Sequence, residues 1–70
     1  MDQIDEKIIE ILKQEGLATS NKIRIELEKE NVSLNRDNVM EKLGELKALN
    51  KVDYRTTGNK KIVKLWELIE

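Results

Sequence analysis

Seventy residues make at most one domain, and a chain this short buries only about 60% of the surface its unfolded form exposes, so a catalytic cleft on a separate scaffold has no room here. There is no cysteine and no histidine, which excludes disulfides and leaves carboxylates as the only metal ligands; the reading calls for no cofactor and an aliphatic core. The net charge of −1 is unevenly spread, with five acidic and two basic side chains in residues 1–16 but five basic and one acidic in residues 51–66. Apolar runs never exceed two residues, as at Ile8-Ile9, so no membrane span is expected. The acidic start at Asp2, Asp5 and Glu6 is the opposite of a secretory or mitochondrial signal, and the absence of cysteine fits a reducing compartment; a cytoplasmic protein is the expectation. Beginning at Met1 without a tag, residues 1–70 read as a single domain, either a complete small protein or part of a longer one.

The first element is a helix over 3–15. Ile4, Ile8, Ile11 and Leu12 share one face, Asp2 is placed to cap it, and Gly16 supplies the left-handed residue that ends it. Ser20 then serves as the N-cap of a second helix, about 21–30, carrying Ile23 and Leu27 and ending near Glu30-Asn31, with Val32 as an apolar plug. Ser33 or Asn35 caps a third helix whose apolar ladder is Val39, Leu43, Leu46 and Leu49; Asn50 follows it, the next best residue after glycine for the left-handed position. Beyond that, Val52-Asp53-Tyr54-Arg55 and Lys61-Ile62-Val63-Lys64-Leu65 alternate with period two around Thr56-Thr57-Gly58-Asn59, a hairpin with a Gly-Asn turn.

This order resembles the winged helix-turn-helix superfamily from Ile4 to about Leu68. The resemblance rests on Ala18-Thr19-Ser20-Asn21-Lys22-Ile23, on Val32-Ser33, on the ladder Val39, Leu43, Leu46, Leu49 with Asn50 and Val52, and on Thr57-Gly58-Asn59-Lys60-Lys61. It departs from the family at Asn50, where glycine is usual. The implied fold is α+β, mostly α: three helices followed by a two-stranded β-hairpin wing. A generic three-helix bundle with a terminal hairpin fits the same spacing, but a basic turn directly after the third helix favours the wing.

The resemblance implies a nucleic-acid-binding protein, a small DNA-binding transcriptional regulator with helix 3 (about 34–49) in the major groove and the wing (about 55–61) on the backbone of double-stranded DNA; a helicase- or replication-associated winged-helix appendage, or an RNA-binding one, fits the same residues. The candidate contacts on helix 3 are Ser33, Asn35, Arg36, Asn38 and Lys42, since Asn and Arg read adenine and guanine edges and Ser33 can donate to a phosphate. On the wing they are Arg55, Thr57, Asn59, Lys60 and Lys61, with Thr56 and Lys64 beside them. Four phosphates neutralised by Arg55, Lys60, Lys61 and Lys64 would make the log affinity fall against log salt with a slope of about −3.6. Those lysines equally protect an exposed hairpin edge. Asp37, Glu41 and Glu45 form an outward acidic stripe on helix 3 that opposes phosphate, and Gly44 and Ala48 make the same side flat.

Trp66, Leu68 and Ile69 either fold back as a tail onto helix 1 or stay exposed, in which case Ile62, Trp66 and Ile69 offer a homodimer or protein-partner contact. The alternative function is accordingly a protein-interaction module that uses the acidic face of helix 3 or the Trp66 region. No enzyme is expected, because the serines have no base beside them, there is no glycine-rich phosphate loop, and the carboxylates fall at the spacing of solvated helix faces.

Overall fold

The computed structural model describes residues 2–58 and 63–69. Three helices, α1 (Gln3–Glu15), α2 (Ser20–Lys29) and α3 (Arg36–Ala48), precede two strands, β1 (Val52–Thr57) and β2 (Val63–Leu68). Each helix begins on a side-chain oxygen that takes one of the unpaired first-turn amides. Asp2 Oδ1 accepts from the Asp5 amide at 2.9 Å, Thr19 Oγ1 from Lys22 at 3.1 Å, and Asn35 Oδ1 from Asn38 at 2.8 Å. The α2 cap is therefore Thr19 and not Ser20, which becomes the first helical residue, and of the two candidates for α3 it is Asn35 that caps.

Gly16 ends α1 at φ 78°, as its position after the apolar series requires. Helices α2 and α3 end alike, each with an asparagine in the left-handed region, Asn31 at φ 63° and Asn50 at φ 59°. In both, the amide beyond the asparagine reaches back to a carbonyl of the last turn, Val32 to Leu27 and Lys51 to Leu46, each at 2.9 Å. This closure satisfies carbonyls the helix cannot, and it drops Val32 and Val52 onto the core.

The strands pair antiparallel, Val52 with Leu68 through Thr57 with Val63. Over the described residues the second strand runs from Val63 to Leu68, past the Leu65 at which its period-two pattern stops, so Trp66 and Leu68 are strand residues and not a tail. Ile62 and the Asn59 position of the expected turn lie outside the described residues; Gly58, at φ 111°, leads into it. Ala18 forms an isolated bridge with Trp66, exchanging both backbone hydrogen bonds at 3.0 and 2.8 Å. The α1–α2 connection is thereby laced to the base of the hairpin.

The core collects Ile8, Ile11 and Leu12 from α1, Ala18, Ile23 and Leu27 around α2, Val39, Leu43 and Leu46 from α3, and Val52 and Trp66 from the hairpin. Val39, Leu43 and Leu46 are fully buried, so the phase of α3 is the one its ladder dictates, but Leu49 lies past the helix and is 59% exposed. Trp66 is only 3% exposed, which overturns its use as a partner surface; its strand face turns it inward, against Tyr54 with ring centroids 5.2 Å apart. Ile69 is exposed. No helix is long and apolar enough to cross a membrane among the described residues.

Candidate nucleic-acid interface

Three segments remote in sequence meet at one open concavity of about 470 Å³. Thr19, Ser20 and Asn21 form the start of α2, Arg36 and Met40 lie on the first turns of α3, and Val63 and Lys64 begin β2. The start of α2 brings first-turn amides that no intrahelical carbonyl can take and the positive end of the helix dipole. Arg36 and Met40, four residues apart, share the flank of α3 that faces the hairpin. Lys64 shares its strand face with Trp66 and, across the ladder, with Tyr54, and its ammonium lies 4.7 Å from the centroid of the Tyr54 ring. Tyr54, half-buried, in turn leans on the buried Trp66, so the aromatic pair underlies this lysine.

The electrostatic contrast with the rest of the surface is sharp. Lys7, Lys22, Arg24 and Lys29 on α1 and α2 each lie within 4 Å of a carboxylate of Glu30, Glu15 and Glu26, Glu28, and Glu26 respectively. Lys22 is held above the ordinary lysine range mainly by its hydrogen bond to Glu26, whose carboxyl is lowered by the same contact. Only Lys13, Arg36, Lys51 and Lys64 stand without a carboxylate partner among the described residues. Two of these four line the concavity.

The residues read from the sequence are distributed unevenly around it. Arg36 is in the concavity, and Ser33 and Thr57 are exposed nearby in sequence but not among its lining residues. Asn35 is exposed, with its side-chain oxygen engaged as the α3 cap, and Asn38 is exposed without a side-chain partner. Lys42 is drawn the other way: its Nζ lies 2.8 Å from Asp2 Oδ2 and 3.8 Å from Glu45. That hydrogen bond raises the Lys42 pKa and lowers that of Asp2. Arg55 sits on the outer hairpin face and pairs with Glu67 at 3.1 Å, so the pleat separates it from Lys64. Asn59, Lys60 and Lys61 lie outside the described residues. The carboxylates of Asp37 and Glu41 are exposed on α3 and have no cationic partner among the described residues, whereas Glu45 faces Lys42.

Thr19, Ser20, Asn21, Met40 and Val63 were not among the candidate contacts read from the sequence. Their only local signal was the helix start at 19–21, which read as a cap; the concavity itself exists only once α2, α3 and β2 are packed.

No protein-family model matches the chain, and no curated protein matches it. Among solved structures it is similar to the Zalpha domain of PKZ in complex with ds(CG)6, at 27% identity and TM-score 0.81, with both chains covered in full. It is also similar to the Zalpha domain of Carassius auratus PKZ in complex with Z-DNA, at 27% identity and TM-score 0.75, over 96% of this chain and 94% of that one. Bacillus subtilis PadR in complex with operator DNA superposes with TM-score 0.83 at 21% identity; all of this chain is covered but only 42% of PadR. With three helices, a bridge after α1 and a hairpin packed back on the bundle, the chain has the winged helix-turn-helix fold.

Proposed function

We propose that this chain binds DNA, with the concavity between α2, α3 and β2 as the seat of a sugar-phosphate backbone, and that it serves as a small transcriptional regulator. The observation that carries the reading is the convergence of Arg36 and Lys64, two of the four cations without a carboxylate partner among the described residues, on the amide-bearing start of α2. A phosphate there meets a guanidinium, an ammonium and a helix dipole of the same sign. The similarity to the DNA-bound Zalpha domains, at full or nearly full length, supports the same reading. Arg36 and Lys64 alone give a salt slope of about −1.8, and phosphate contacts from Lys60 and Lys61 would steepen it toward −3.6.

The test is fluorescence anisotropy with a mixed-sequence duplex and an alternating CG duplex, titrated at low and moderate salt, for the parent chain and for Lys60→Ala with Lys61→Ala. The expected result is binding that weakens with salt and a slope that loses about 0.9 for each lysine that touches phosphate. A second reading is a protein-interaction module docked on the acidic side of α3, favoured by the exposed carboxylates of Asp37 and Glu41, which have no cationic partner among the described residues. Absence of any duplex binding at low salt would reject the first reading in favour of this one.

A further inference from the structure

A helix laid in the groove of a duplex has one phosphate rail on each flank, and the flanks of α3 differ in charge. At about 3.6 residues per turn, Arg36 and Met40 face the concavity, whereas Lys42 and Glu45 fall on the side toward the start of α1. On the first flank Arg36 is joined by Lys64 from across the concavity, and neither has a carboxylate partner among the described residues. On the second flank the one ammonium, Lys42, is gripped by two carboxylates, Asp2 at 2.8 Å and Glu45 at 3.8 Å. Between the flanks, Asp37 and Glu41 present exposed carboxylates. One rail therefore meets cations and a helix N-terminus, and the other meets net negative charge.

We infer that the protein grips a single strand, along the concavity, and that it accepts single-stranded DNA nearly as well as duplex. This rests on the nucleic-acid reading above and narrows its ligand. The second strand of a duplex adds no favourable contact, because its phosphates approach a flank whose only cation is already neutralised. Both described aromatic side chains are occupied, Trp66 in the core and Tyr54 beneath Lys64, so base stacking contributes little and the hold on the strand is through its backbone.

Anisotropy of a labelled mixed-sequence duplex and of each of its strands alone, at about 50 mM salt, tests this. Contacts confined to one strand place the duplex and single-strand affinities within about threefold of one another. Arg36→Ala lowers both by the same factor. Glu45→Lys, an exposed change outside the concavity, supplies the missing cation for the second rail: duplex affinity rises about tenfold and its salt slope steepens by about 0.9, while the single strands are unaffected. Duplex binding that exceeds single-strand binding by more than about thirtyfold, or a Glu45→Lys variant that leaves duplex binding unchanged, overturns the inference but leaves the nucleic-acid reading standing. Failure of duplex and single strands alike to bind defeats both.

Discussion

The α1–α2 surface and the concavity beside α3 are built from the same cationic side chains and differ in the company these keep. On α2, Lys22, Arg24 and Lys29 have carboxylates three or four residues away, so the helix spacing itself pairs and neutralises them. Across the concavity no such spacing operates, because Arg36 and Lys64 come from different elements and meet through packing. The lesson is that local pairing, more than the number of lysines, decides where a nearly neutral chain presents positive potential.

The comparison breaks altogether if α3 is not seated as described, and Leu43→Ala tests that seating. Leu43 is fully buried, so its truncation is expected to cost about 2–5 kcal/mol in a denaturant titration, enough to unfold much of a domain this small. A loss well under 1 kcal/mol would mean that the flanks of α3 are assigned wrongly. A smaller effect sharpens the contrast directly: Arg36→Ala is expected to weaken DNA binding about tenfold at low salt, whereas Arg24→Ala, whose guanidinium already lies 3.0 Å from Glu28, leaves it within about twofold. Equal losses from the two would erase the distinction between paired and free cations.

The smallest expected effect concerns acid. The Lys42 hydrogen bond holds the Asp2 carboxyl below its ordinary 3.8, so the folded pKa is the depressed one. The stability this contact contributes is in full force above the unfolded value and disappears as pH falls through the lowered folded value. Asp2 is exposed, and screening keeps the contribution small. Thermal unfolding followed from neutral pH to below pH 3.8 should therefore show a slightly shallower acid decline in Asp2→Asn than in the parent; an identical profile would mean that the pair contributes nothing.

Much of the scaffold was written in local patterns. The bounds of α1 follow from Asp2, four apolar positions and Gly16, and Asn50 was legible as a left-handed terminator because so few side chains suit that conformation. Asn31 does the same at α2, where only the end of the helix was legible and not its form. The end of β2 was placed three residues short, at Leu65, because alternation over 61–65 does not say where pairing stops; register is decided by Trp66 finding Ala18 and Tyr54, contacts far apart in the chain. The site was less legible than the fold for the same reason. Arg36 could be named from its place on helix 3, but the engagement of Lys42 by Asp2, forty residues away, and of Arg55 by Glu67 depends on tertiary neighbours.

The bridge between Ala18 and Trp66 gives the hairpin a fulcrum. Both backbone hydrogen bonds of the bridge fall at the inner end of β2, beside the amide of Ile69 that donates to Lys51. The hairpin is thus a lever pinned at its root, with Lys64 two residues out from the pin. Amide exchange should therefore be slowest at Trp66 and Ala18 and quicken toward Thr57, the end farthest from the pin.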